Sequence, residues 1–193
     1  YHRNTKKKIS CICLVFSLGL IPDLKRIKDI SKKYNIKIIF DAACSFGQKF
    51  HNDKLSKYCD VVTYSFNGNK NFTTGGGGLF STDIKKYYLR ALSISNNGKV
   101  STYKYQKIGY NLRMPSINAA IGLAQLERYK KIIKQKRNIR NFYQKYLKKY
   151  ELFNCTFSWG NYLPWMNFCI VKNEIKLKKI FKLLKKKNIS SDY

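Results

Sequence analysis

The sequence has no apolar run near the ~18–20 residues needed to cross a bilayer, so a membrane-spanning helix is not expected, and neither is a membrane partner. Residues 9–20 come closest, after a basic start. They hold Cys11 and Cys13 and run into Pro22 without a small-residue cleavage site, so they read as a buried strand rather than a signal peptide, and the expected location is the cytosol. No CxxC pair occurs among the six cysteines, at 11, 13, 44, 59, 155 and 169, and His2 and His51 have no ligand spacing to them. A metal site is therefore not expected. The chain is also too long and too apolar for a disulfide scaffold, so reduced, mostly buried thiols are expected. Acidic residues are scarce, 10 against 39 Lys and Arg, for a formal charge of +29. Such an excess suits a nucleic-acid binder. The lysines are nevertheless spread over every segment and dense only around 172–187, which favours a generally basic surface, and nucleic acid is not the expected partner. Either way, anionic substrates are attracted. No internal repeat is visible.

What remains is a chain of 193 residues, 44% of them hydrophobic. That is enough for a sizeable core in one domain or in parts of two. Residues 9–17 (ISCICLVFS) form a continuous apolar run, expected to be a strand buried on both faces. Pro22 and Asp23 open a helix to about Tyr34, with Leu24, Ile27, Ile30 and Tyr34 spaced for one buried side, and Asn35 ends it. Residues 36–40 (IKIIF) form a strand stopping at Asp41, which completes a βαβ unit with parallel strands. A loop through Gly47 and His51–Asp53 leads to a third strand, Asp60–Phe66. The glycine-rich Asn67–Gly78 is irregular, Leu79–Ser81 resumes as strand, and Thr82–Asp83 caps a helix starting near Ile84. Residues 93–112 read as irregular, with turns at Asn97–Gly98 and Gly109. Apolar spacing then predicts a long helix from Ser116 to about Tyr150, a strand over Trp165–Val171 and a basic amphipathic helix over Glu174–Lys187. The alternation specifies an α/β architecture.

Parallel sheets collect ligands beyond the carboxyl ends of their strands. Two such ends carry chemistry here: Asp41 after IKIIF, and Ser65 with Lys70 after DVVTYSF. The run Gly75–Gly78, after Thr73 and Thr74, permits close backbone approach beside them. It is not a Walker loop, because no GK[ST] follows. An acid, a hydroxyl and a lysine at one edge match the needs of pyridoxal phosphate. A lysine binds its aldehyde, a carboxylate faces the pyridine nitrogen, and hydroxyls with backbone N–H groups hold the phosphate.

The segments FDAACSFG (40–47), YSFNGNKNFTTGGGG (64–78) and GYNLRMPSINAAIGLAQLE (109–127) resemble, in that order, the DegT/DnrJ/EryC1/StrS family of sugar aminotransferases. The wording of the second is most like the branch acting on UDP-linked 4-keto-6-deoxy amino sugars. The resemblance implies a type I pyridoxal-phosphate transferase fold, like that of aspartate aminotransferase. Lys70 is then the cofactor-bearing lysine and proton shuttle, Asp41 the pyridine-nitrogen partner and Ser65 a phosphate contact. Asn111 would reach the phosphate of a neighbouring subunit, with Arg113 supporting that interface; loop capping is the alternative for both. Cys44 stands where the family usually has Gln or His, near the phenolic oxygen of the cofactor.

The implied reaction is transamination of a nucleotide-linked keto-sugar for cell-surface glycan synthesis. Glutamate is the expected amino donor, and a homodimer with a shared active site the expected assembly. Relative to the family, the large domain is expected to be incomplete at its N-terminus over residues 1–130, with a linking helix and the start of a small α+β domain over 131–193. The alternative is a non-catalytic fragment, or a regulatory, anion-binding module on the same scaffold.

Overall fold

The computed structural model describes residues 1–147, 162–171 and 173–191. Contacts divide the chain into two units, Tyr1–Arg137 with Ser158–Trp165, and Asn138–Phe157 with Met166–Tyr193.

The first unit is built on a four-stranded sheet. Strand β1 (Cys11–Val15) is followed by helix α1 (Leu24–Tyr34) and strand β2 (Lys37–Asp41). Asp23 caps α1 by accepting the Arg26 N–H at 3.1 Å, and Asn35 closes it in the left-handed conformation, φ 50°. A two-residue turn at His51 and Asn52, both with positive φ, joins the short strands β3 (Lys49–Phe50) and β4 (Asp53–Lys54). Strands β5 (Val61–Ser65) and β6 (Gly78–Ser81) complete the sheet, in the order β1-β2-β5-β6. The first three are parallel, with Val15 opposite Asp41 and Asp41 opposite Thr63; β6 runs antiparallel, with Gly78 opposite Ser65. The βαβ unit and mixed α/β class expected from the sequence are those observed.

One face of the sheet carries the core. Ile38, Phe40 and Val62 pack with Phe16, Ile21, Leu24, Phe50 and Leu55, all buried. The other face is more open, so β1 is not buried on both faces as its composition suggested. It is an edge strand, and Cys11, Cys13 and Val15 are exposed. The expectation of mostly buried thiols fails with it: Cys169 is also exposed and Cys44 and Cys59 are half-buried, while Cys155 lies outside the described residues. Those five thiols are free. On α1, Leu24 is buried but Ile30 and Tyr34 are exposed, because the core reaches only the first turns of the helix.

Helix α2 (Lys85–Ser95) follows β6. Its cap residue is Ile84, not Thr82–Asp83; the Thr82 hydroxyl instead accepts the Ile84 N–H at 3.1 Å and donates to the Asp60 carbonyl at 2.6 Å. The segment expected to be irregular holds the last turn of α2 and a hairpin, β7 (Lys99–Ser101) with β8 (Lys104–Tyr105). Helix α3 runs Ser116–Leu147, and Lys148–Tyr150 of its expected extent lie outside the described residues. In the second unit, helix α4 (Glu174–Lys186) is capped by the Asn173 side chain accepting the Lys176 N–H at 2.9 Å. Residues 165–171 form no strand, and only an isolated bridge occurs at Ile170. Among the described residues no helix is long and apolar enough to cross a membrane.

Candidate functional site

Because β1, β2 and β5 are parallel, their carboxyl ends share one edge. Asp41 is the last residue of β2 and half-buried. Its Oδ1 accepts the Ala43 N–H at 3.1 Å, turning the chain away from the sheet. The ladder carries one residue beyond it, with Ala42 N–H donating to the Thr63 carbonyl at 2.9 Å. Ser65 ends β5, and its Oγ accepts the Asn67 N–H at 3.3 Å.

Between Ser65 and Gly78 the chain leaves and re-enters the sheet at this same edge. The loop closes on itself: Phe66 donates to the Gly77 carbonyl, and Thr74 N–H and the Thr73 hydroxyl both donate to the Phe66 carbonyl, each at 3.0 Å. Phe66 and Phe72 anchor it from below, their rings 4.7 Å apart. Phe46 stacks on Phe72 at 4.7 Å and meets Tyr129 of α3 at 5.7 Å. The Tyr129 hydroxyl donates to the Phe46 carbonyl at 2.6 Å. Gly47 is required beside it. Its φ is +78°, and a Cβ there would lie 2.4 Å from the Tyr129 hydroxyl. On α3, Asn118 donates to the Thr74 carbonyl at 2.6 Å, and a Cβ on Gly122 would come within 2.9 Å of the Thr74 methyl. The helix is thus seated against the glycine-rich loop through small residues.

This scaffold holds Lys70 half-buried, its N–H donating to the Asn67 carbonyl at 3.0 Å. Its Nζ donates to the Cys44 sulfur at 3.4 Å and lies 4.0 Å from the centre of the Trp165 ring. Among the described residues no carboxylate pairs with it. Asp41 and Ser65 thus end β2 and β5, and Cys44 and Lys70 stand on the loops that follow them, in contact with each other. Asn111 does not join them. It is exposed and bridges to Asn96 at the end of α2. Arg113 lines a separate cleft of about 620 Å³ with Leu92, Asn97, Lys99 and Tyr105.

Trp165 was not among the expected site residues. Its indole N–H donates to the Asn69 carbonyl at 2.9 Å. Asn71 donates to the Pro164 carbonyl at 3.1 Å and Gln48 to the Leu163 carbonyl at 3.4 Å. The only signal available in the sequence was an indole beside a proline, which local periodicity assigned to a strand.

Burial raises the tyrosine pKa values around this scaffold. Tyr129 and Tyr64 are each pushed up from 10.0 to about 12, chiefly by desolvation. The Tyr129 hydroxyl therefore keeps the proton it donates to the Phe46 carbonyl well into the alkaline range.

The donor set fits pyridoxal phosphate. Lys70 offers an amine whose neighbours are a thiol and a ring face, with no competing acid among the described residues. Asp41 has one oxygen engaged by a backbone N–H and no cation on it among the described residues. Among these residues no cluster of three His, Cys, Asp or Glu could hold a metal ion.

The model of the DegT/DnrJ/EryC1/StrS aminotransferase family matches residues 3–193. A GDP-perosamine synthase of Escherichia coli O157:H7 is 40% identical over 144 residues, covering 74% of this chain and 39% of the relative. A UDP-4-amino-4,6-dideoxy-N-acetyl-beta-L-altrosamine transaminase of Campylobacter jejuni is 28% identical, covering 77% and 40%. Among solved structures, the E. coli GDP-4-keto-6-deoxy-D-mannose-3-dehydratase with bound hydrated PLP matches with a TM-score of 0.86 at 21% identity, covering 97% of this chain and 54% of that one. The Helicobacter pylori aminotransferase involved in pseudoaminic acid biosynthesis matches with a TM-score of 0.83 at 20% identity, covering 92% and 50%. These likenesses show the fold. The chain spans about two fifths of the curated relatives and about half of the solved chains.

Proposed function

This chain belongs to the DegT/DnrJ/EryC1/StrS aminotransferase family, and we propose that it supplies the lysine-bearing part of a cytosolic, pyridoxal-phosphate-dependent aminotransferase acting on a nucleotide-linked keto-sugar. The observation that carries the reading is the Lys70 amine, held at the carboxyl edge of the sheet beside Cys44 and free of any carboxylate among the described residues. When bound, the cofactor supplies an aldehyde for an amine and a ring that accepts electrons from the substrate carbon.

The protein's own groups do the rest. Lys70 Nζ would hold the cofactor covalently and, when released, take a proton from one carbon and return it to another. The Asp41 carboxylate would keep the pyridine nitrogen protonated. The Ser65 hydroxyl and the loop's N–H groups would bind the phosphate. Cys44, a weak hydrogen-bonding group, would lie near the phenolic oxygen. Asn111 would serve a site in a second copy of the chain. It stands on an exposed apolar stretch with Leu112, Met114 and Ile117, the kind of surface a partner subunit covers. The large-domain part is proposed over 1–130 and the small-domain part over 131–193.

Glutamate is the proposed amino donor and a 4-keto-6-deoxy sugar the proposed acceptor, for glycan synthesis. The sequence wording pointed to a UDP carrier, whereas the higher identity is to a GDP-perosamine synthase, so the nucleotide is proposed as GDP or UDP. Incubation with pyridoxal phosphate, glutamate and each sugar nucleotide tests this. An amino sugar detected by mass supports it, and none from folded, cofactor-loaded protein contradicts it. Salt-sensitive nucleic-acid binding without cofactor uptake would favour a regulatory module instead, the outcome to which the +29 charge would lend itself.

A further inference from the structure

We propose that Trp165 is a positioning residue for Lys70, its ring face holding the ammonium in the site whenever the amine is not bonded to cofactor. The contact is built from both sides. The Lys70 Nζ lies 4.0 Å from the ring centre, within the range at which an indole face attracts a cation. The indole N–H is fixed to the carbonyl of Asn69, the residue next to Lys70, which ties the ring to the backbone that carries the lysine.

The backbone behind the ring is fixed as well. Leu163 and Pro164 are buried, and their carbonyls accept from Gln48 and Asn71. The Trp165 carbonyl accepts from Lys136 Nζ of α3 at 3.3 Å. Gln48 also donates to the Gly19 carbonyl at 2.8 Å, which ties this strap to the loop after β1. A tryptophan needed only for packing could be held by its buried neighbours. This one is instead tethered at its indole N–H and at its own carbonyl, while its face is turned to the amine.

A proton-shuttling lysine must carry a positive charge for part of each cycle. In a half-buried site with no carboxylate on it among the described residues, a ring face stabilises that charge without an acid that would trap the proton. The Cys44 sulfur accepts from the same Nζ and sets its direction.

The role rests on the proposed function of Lys70, so its test separates the two. Lys70 is acetylated with acetic anhydride in the absence of cofactor, and its rate is read by peptide mass against Lys57, an exposed internal reference. Trp165→Ala is expected to raise the relative rate about fivefold, and Trp165→Phe, which keeps an aromatic face, to restore most of the protection. Near-ultraviolet circular dichroism checks that both variants are folded. An unchanged Lys70 rate in folded Trp165→Ala overturns the role, and so does a Trp165→Phe rate equal to that of the alanine variant. Failure of wild-type Lys70 to bind pyridoxal phosphate would instead contradict the proposed function, and the labelling result would still decide whether Trp165 positions the amine.

Discussion

The Nζ of Lys70 donates to the sulfur of Cys44 across 3.4 Å, joining the loop after β2 to the loop after β5. The two residues are 26 apart in sequence, and the parallel strands bring their loops to one edge. A thiol at this place predicts that alkylation and cofactor binding exclude each other. Iodoacetamide should modify Cys44 more slowly once pyridoxal phosphate is bound, and prior alkylation should block uptake of the cofactor. Equal alkylation rates with and without cofactor would remove Cys44 from the site.

Asp41→Asn should separate folding from chemistry. The asparagine carbonyl oxygen can still accept the Ala43 N–H, so the turn survives and Tm should move little. The charge opposite the pyridine nitrogen is lost, and turnover should fall by about 100-fold or more. A variant that folds and turns over normally would show that Asp41 is only a turn former.

Gly47→Ala should destabilise the first unit by about 2–4 kcal/mol, from left-handed backbone strain and overpacking together. The added methyl would meet the Tyr129 hydroxyl, which could not then keep its 2.6 Å bond to Phe46. Tyr129→Phe should cost about 1–2 kcal/mol by stranding that carbonyl. Thermal melts of the two variants measure both effects, and unchanged melting temperatures would contradict the packing described.

Alkaline pH should weaken the fold over a defined window. Tyr64 and Tyr129 keep their protons to about 12 in the folded chain against 10.0 ordinarily, and Cys59 to about 12 against 9.0, all chiefly through burial. Above pH 9 the unfolded chain thus binds fewer protons than the folded one, so stability falls with rising pH and levels off above about 12. Denaturant melts across this range should show the decline, and Tyr129→Phe should flatten it. A flat wild-type profile would mean these groups titrate normally when folded.

Much of this was legible in the sequence where the cause is local. Asp23 and Asn35 bracket α1 because capping and left-handed closure act within a few residues. The strand stopping at Asp41, the strand that carries Ser65 (expected to run one residue further, to Phe66) and the glycine-rich loop carrying Lys70 follow from short hydrophobic runs bounded by polar and glycine-rich segments. What was misread depends on partners distant in sequence. The composition of β1 could not reveal that it is an edge strand with exposed Cys11 and Cys13. Ile30 and Tyr34 have helical spacing like Leu24, yet the core stops short of them. Trp165 meets Asn69 from 96 positions away, a relationship no local periodicity encodes.

The central claim is that Lys70 carries the cofactor. Borohydride reduction of the protein equilibrated with pyridoxal phosphate, followed by peptide mapping, tests it most directly. The account predicts stoichiometric reduced cofactor on Lys70, lost in Lys70→Ala. Label scattered over the many surface lysines of folded protein, with Lys70 no richer than the rest, would contradict it.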